Sequence, residues 1–171
     1  SVTAIDRGAD LTAKWQHTGD YGHFNVRALV RPLKVDDGNG TNKASTTGWG
    51  LGAGGSLKLG ANDTVFYQLN GAEGIGRYIQ DVYGAAAYDA ASATLSTQRA
   101  VGGYLALQHL WSTTLRSTAS FNATQVSNKT GFGPVDDLNK STRQMHANLI
   151  WKLAPQLDGG AEYVWSERKV E

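Results

Sequence analysis

The chain contains no cysteine, and its 171 residues include only three prolines. The absence of cysteine excludes a disulfide framework, thiolate chemistry and any cysteine-ligated metal. No apolar run approaches the roughly 18 residues that a transmembrane helix needs. A membrane location would therefore require a β-barrel, the other structure that satisfies its backbone hydrogen bonds in lipid. The net charge is only +1, so no bulk excess of one sign indicates a nucleic-acid partner.

Apolar and polar residues alternate along short segments that are joined by turns. In residues 11–16 the odd-numbered positions are apolar, and after a turn at 18–21 the even-numbered positions of residues 24–31 are apolar. Because successive side chains of a strand point to opposite faces, each segment has one apolar and one polar face. The pattern repeats about eight times, and charged residues keep to the polar face, as in outer-membrane barrels.

The alternation predicts strands at 10–17, 22–35, 48–59, 64–73, 99–111, 115–126, 142–153 and 159–169. Tight turns are expected at 18–21, 60–63, 112–114 and 154–157, and long connections at 36–47, 80–98 and 127–140. Short turns at one end and long loops at the other are typical of outer-membrane barrels, whose long loops lie outside the cell. We therefore predict one all-β domain over residues 1–171, an antiparallel transmembrane β-barrel with short periplasmic turns and long extracellular loops. The alanine-rich residues 84–94 are compatible with a short helix, an inward fold that narrows a pore, or a flexible loop.

Three tryptophans stand near the end of a predicted strand, just before a tight turn: Trp15, Trp111 and Trp151. Aromatic rings with a polar N–H favour the membrane interface. We interpret these three residues as a girdle at one level, although three core tryptophans of a soluble barrel are the alternative.

The polar face carries mostly positive charge. Seven cations stand on the predicted strands against a single carboxylate, Glu162, while most acids fall in turns and loops. The seven are Lys14, Arg27, Arg31, Lys58, Arg116, Lys152 and Arg168. Unpaired cations are costly in a packed core, but in a water-filled lumen they stay hydrated and attract anions. Arg27 and Arg31, four residues apart, would lie about 13 Å apart along the strand. The two interpretations are a ladder that favours small anions and a plain wet lining without preference.

Motifs for catalysis and cofactors are missing. Residues 50–55 match the pattern G-x-G-x-x-G but lie within a predicted strand, so they do not precede a helix N-terminus that could bind a phosphate. These glycines instead indicate curvature of the barrel or close packing against another subunit. The four histidines lack metal-ligand spacing. The cations face inward, whereas nucleic-acid binding needs an exposed basic patch. We expect no enzyme, no cofactor, no metal and no nucleic-acid partner.

The stretches at 14–22 (KWQHTGDYG), 69–78 (LNGAEGIGRY) and 163–165 (YVW) resemble the DcaP-like porins of Gram-negative bacteria. The resemblance covers nearly the whole chain. It implies a homotrimeric outer-membrane channel of about sixteen strands, in contact with lipid and lipopolysaccharide. It also implies uptake of small anionic solutes such as dicarboxylates, which agrees with the basic face. No individual binding residue is carried over from the family.

The two ends of the chain depart from a complete porin. The chain opens in mid-pattern without a signal peptide, so we expect a mature or trimmed product. It ends without the terminal aromatic residue common in outer-membrane barrels, so we expect the later, C-terminal-side part of a larger barrel. Eight strands closed alone would leave an interior only wide enough for side chains. The alternatives are a non-selective general porin, a small structural or adhesive barrel with paired inward charges, and a soluble ligand-binding barrel.

Overall fold

The computed structural model describes residues 3–4, 8–39, 41–79, 82, 84–128 and 138–171. These residues are almost entirely β-structure, with one 3₁₀ turn at Gly76–Tyr78. None of the helical residues described forms a helix long and apolar enough to cross a membrane. The strands are β1 (Thr3–Ala4), β2 (Leu11–Gly19), β3 (Gly22–Asp36), β4 (Lys43–Leu59), β5 (Asp63–Glu73), β6 (Ala86–Asp89), β7 (Thr94–Thr97), β8 (Arg99–Leu110), β9 (Leu115–Ser127), β10 (Asn139–Ala154) and β11 (Leu157–Val170).

The long strands form one antiparallel meander. Both β1 and β2 pair with β3, and the sheet continues through β4, β5, β8, β9 and β10 to β11. Each long strand therefore pairs with the next long strand of the chain. Short turns join β2–β3, β4–β5, β8–β9 and β10–β11 as antiparallel hairpins, and longer connections join the other pairs. Within the described residues β2 and β11 do not pair with each other, so the sheet is open at these two edges. All eight predicted strands are present, and the predicted fold class is correct.

The strands are tilted as they are in a barrel. Following the register from Gly19, the last residue of β2, across the sheet leads to Ala147, seven residues before the end of β10. Seven residues at about 3.4 Å each give an offset of about 24 Å along the strands, and six strand spacings of about 4.8 Å give a width of about 29 Å across them. The ratio of these two lengths corresponds to a strand tilt of about 40°. Transmembrane barrels tilt their strands by about 35–45°. The short turns therefore lie at one level although their strands are progressively offset.

Burial is reversed relative to a soluble protein. On β3 the polar Asn25 is 6% exposed, whereas its apolar neighbours Val26 and Val30 are 39% and 47% exposed. Leu11 and Trp111 on the same apolar face reach 70% and 62%. A soluble protein rarely exposes an apolar surface this large, and here it is continuous over the sheet. The outer, apolar face is the one that lipid would cover.

Two predicted loops differ from the structure. The predicted connection 36–47 is shorter, because β4 begins at Lys43 and its first residues pair with the end of β3. Residues 84–94 do not form a helix. Most of them belong to a hairpin in which β6 pairs with β7. The hairpin is tied to the β3–β4 connection, where the Tyr88 hydroxyl donates to Asn42 Oδ1 at 3.4 Å. In the predicted connection 127–140, residues 129–137 lie outside the described part of the chain.

Candidate functional site: a basic inner face and an inward-folded segment

Residues 74–79, which we call the inner segment, follow β5 and fold over the inner face of the sheet. Ile75 is buried against Leu29 of β3 and Ala72 of β5, and Ile79 packs at the edge of this cluster. Leu29 and Ala72 occupy inward positions where the sequence pattern leads one to expect polar residues. They are apolar because the inner segment, rather than water, covers them.

Glycines make room for this segment on β4. A Cβ atom at Gly50 would lie 2.6 Å from Cδ1 of Ile75, and one at Gly48 would lie 2.5 Å from the carbonyl oxygen of Gly74. Both distances are too short for any larger residue without movement. The sequence indicated curvature or close packing against another subunit for these glycines, and the structure shows that Gly48 and Gly50 allow close packing against the chain's own inner segment.

Hydrogen bonds anchor the inner segment at its far end. The Tyr78 hydroxyl donates to Oδ2 of Asp10, just before β2. The Asp10 carboxylate also lies 3.6 Å from Nε of Arg31, and both side chains are only 11% exposed. The segment is thus tied to β2 and β3 through one shared carboxylate.

Lys14 and Arg27 are directly opposite each other on β2 and β3. A terminal nitrogen of Arg27 (Nη2) donates to Asn70 Oδ1 of β5 at 3.3 Å, across the inward face of Gly52. These residues line a cavity of about 410 Å³ that is closed on one side by Ile75, Tyr78 and Ile79 of the inner segment. Arg27 is therefore oriented by a neutral amide, which leaves its charge unneutralised.

The seven predicted cations occupy three levels, counted from the strand ends at the short turns. Lys58, Arg116 and Lys152 lie within two residues of such an end. Lys14 and Arg27 are each five residues away, whereas Arg31 is nine and Arg168 eleven residues away. The structure thus distributes the seven residues along the inner face. It places Lys14 and Arg27 opposite each other beside the inner segment, whereas Arg31 shares the Asp10 carboxylate with Tyr78 of that segment.

The expectation of a single inward carboxylate is wrong. Asp158 belongs to β11 rather than to a turn, and its Oδ2 lies 2.8 Å from Nη2 of Arg116. Asp10 contacts Arg31, as described above, and Glu162 lies 3.5 Å from His146. The reason is register: Asp10 precedes β2 and Asp158 begins β11, and pairing of the strands brings both beside cations of other strands. Within the described chain, Lys14, Arg27, Lys58 and Lys152 have no carboxylate contact.

Arg168 also has a neutral partner. Its Nε donates to Asn139 Oδ1 at the loop end of the sheet. Arg168 therefore lies at the end of the inner face that is farthest from the short turns.

The three predicted girdle tryptophans are all exposed on the outer face. They are not at the same distance from the strand ends, because β2 continues to Gly19 and leaves Trp15 four residues from its end. Trp111 lies one residue beyond β8, and Trp151 lies three residues before the end of β10. Trp49 and Trp165, also exposed, stand farther toward the loops. The interface role of Trp15, Trp111 and Trp151 remains a prediction.

Titratable groups elsewhere in the described residues do not form a metal cluster. His109 and Asp63 lie on the outer face, where Nδ1 of His109 is 2.8 Å from Oδ1 of Asp63. The His109 ring also contacts the edge of Trp111, with centroids 4.4 Å apart. His109 therefore has a structural partner on each side.

Sequence reasoning missed the inner segment and its anchor. Two signals were present: glycines at four successive inward positions of β4 (48, 50, 52 and 54), and Gly74 and Gly76 just where the strand pattern of β5 ends. Inward glycines leave a groove on a sheet, and Gly74 adopts a φ of +72°, which favours glycine. Together they indicate that another part of the chain approaches closely.

No known protein-family model and no curated protein matches the chain. Among solved structures, the chain is similar to the crystal structure of the outer membrane channel DcaP of Acinetobacter baumannii. The similarity covers 99% of this chain with a TM-score of 0.83 at 22% sequence identity. This chain spans 48% of the length of that channel chain. The fold of this chain is therefore that of part of an outer-membrane channel barrel, which confirms the fold expected from the resemblance.

Proposed function

We propose that the protein is an outer-membrane diffusion channel, a porin, whose basic lumen favours small anionic solutes such as dicarboxylates. The observation that carries the proposal is the pair Lys14 and Arg27, which lies beside the inner segment without a carboxylate partner in the described chain. The location in the bacterial outer membrane is supported by the exposed apolar outer face and by the fold of the similar channel. A homotrimer and contact with lipopolysaccharide belong to the same proposal.

The physical basis is the field of two adjacent cations in a narrowed, water-filled space. A low-dielectric wall focuses this field, which raises the local anion concentration and the rate of entry. Arg27 offers a carboxylate two parallel hydrogen bonds, while Lys14 acts as a mobile point charge. Cations at the loop side and at the short-turn side, Arg168 and Lys58 among them, would receive and release the solute.

A test is the interruption of single-channel current by succinate, a small dicarboxylate, with the protein purified from outer membranes. We expect brief blockades whose association constant falls about tenfold or more in Lys14→Gln/Arg27→Gln, since a charge-assisted hydrogen bond contributes about 1.5–3 kcal/mol. The matched control is Arg99→Gln/Lys169→Gln, which removes two charges from the outer face and should leave the blockades unchanged. Equal blockade of all three proteins would contradict the proposal.

A non-selective general porin is the second candidate. It is favoured by the pairs Arg31–Asp10 and Arg116–Asp158, because these pairs neutralise the charge of two of the seven predicted lumen cations. This candidate predicts conductance without preference for anions and no blockade by succinate. A small structural or adhesive barrel predicts no conductance at all.

A further inference from the structure

The outer face carries a hollow at its loop-side edge. Gly103 of β8 and Ala123 of β9 are opposite each other and form its floor. Leu69, Leu105 and Phe121 surround this floor, and the hollow has a volume of about 430 Å³. The floor is low because glycine and alanine stand where neighbouring rows carry larger side chains.

The loop-side end of the hollow is polar. Gln125, Ser141 and Arg143 line it, and Arg143 is the register partner of Ala123 on the next strand. On β10 the outward residues nearer the short turns, Met145 to Leu153, are apolar or aromatic, so Arg143 marks the upper edge of the apolar band. It is eleven residues from the end of β10, or about 29 Å along the barrel axis at a tilt of about 40°.

The Arg143 side chain is exposed and makes no hydrogen bond or ion pair with any other described residue. Glu167 lies opposite it on β11, but the Glu167 carboxylate contacts Nζ of Lys169 at 3.2 Å. A guanidinium without a partner among the described residues, at the end of an apolar hollow on the outer face, is complementary to a phosphorylated headgroup with its acyl chain in the hollow.

We propose that this hollow is a binding site for lipopolysaccharide, with an acyl chain over Gly103 and Ala123 and a lipid A phosphate on Arg143. The proposal rests on the outer-membrane location proposed above but not on anion selectivity. Lipopolysaccharide is favoured over a glycerophospholipid because Arg143 lies at the end with the long loops, which face the outside of the cell. Charge and shape together distinguish the hollow from the rest of the apolar face.

The test measures binding of diphosphoryl lipid A and of phosphatidylglycerol to the detergent-purified protein by native mass spectrometry. Arg143→Gln should weaken lipid A binding about tenfold, the loss expected from one charge-assisted contact. Ala123→Leu should abolish binding by filling the floor. The matched controls are Arg99→Gln, another outward cation, and Ala119→Leu, an outward alanine on the same strand outside the hollow. Both should bind as the unmodified protein does.

Three results would overturn the proposal. Arg143→Gln could bind lipid A undiminished, phosphatidylglycerol could bind as tightly as lipid A, or Ala123→Cys could form a disulfide between two copies in intact membranes, which would show that a second copy covers the hollow. Arg143→Gln alters an exposed residue, so it keeps the test valid if Ala123→Leu fails to fold. Membrane fractionation tests the outer-membrane location separately.

Discussion

The two halves of the sheet differ in what lies on their inner face. From β2 to β5 the inner segment covers the sheet, and Leu29, Ala72 and Ile75 form a small core there. From β9 to β11 the described residues carry no such cover. Both halves share the same strand geometry and the same apolar outer face. The difference therefore comes from the inward glycines of β4 and the segment that follows β5.

This comparison assigns different tasks to similar strands. Under the proposed function, the half from β2 to β5 would narrow the lumen, and it holds Lys14 and Arg27 beside the inner segment. The half from β9 to β11 would form only part of the wall of the proposed channel, and its Arg116 is paired with Asp158 at the short-turn end. A cation is thus expected to influence solutes according to its distance from the inner segment and not simply because it faces inward.

The largest expected effect comes from filling the groove under the inner segment. Gly50→Leu cannot coexist with Ile75 in its present position, and the displaced Ile75 loses about 1.5–3 kcal/mol of burial. We expect a wider lumen and a higher single-channel conductance. Ile75→Ser should act in the same direction without altering β4. The matched control is Ser166→Leu, an inward and exposed position on β11, which should leave conductance unchanged. If Gly50→Leu and Ile75→Ser conduct like the unmodified protein, the inner segment does not narrow the channel.

A smaller effect is expected when the anchor of the inner segment is weakened. Tyr78→Phe removes the hydroxyl that donates to Asp10, a hydrogen bond to a charged group that contributes about 1.5–3 kcal/mol. The segment should then open more often, seen as frequent steps in single-channel current with the mean conductance little changed. Asp158→Asn breaks the exposed ion pair with Arg116 in the other half of the sheet. It should not increase the frequency of current steps, since exposed ion pairs contribute little to stability. Equal noise in both variants would remove the distinction between the two halves.

The strands and their faces could be predicted from the sequence because the side-chain period of a strand is local. The alternation along residues 24–31 assigns each residue of β3 to a face without knowledge of any other strand. The start of β4 at Lys43 was missed because residues 43–47 are small or polar and carry no apolar alternation. Those residues form a strand because β3 extends beyond the apolar band and offers them hydrogen-bonding partners.

The inner segment and the ion pairs could not be predicted, since they depend on contacts between distant parts of the chain. Tyr78 and Asp10 are 68 residues apart, and Arg116 and Asp158 are 42 apart. Whether Asp158 faces a cation depends on the register of three strands, which no local pattern encodes. The sequence pattern therefore predicted more unpaired inward cations than the described residues contain, because Arg31 and Arg116 have carboxylate partners.

The most direct test of the central claim is the reversal potential of the protein in a planar bilayer under a KCl gradient. We predict a potential of the sign for chloride selectivity, which moves toward zero in Lys14→Gln/Arg27→Gln and is unchanged in Arg99→Gln/Lys169→Gln. A channel without selectivity, or one whose selectivity survives the loss of Lys14 and Arg27, would contradict the claim that these two cations beside the inner segment select anions.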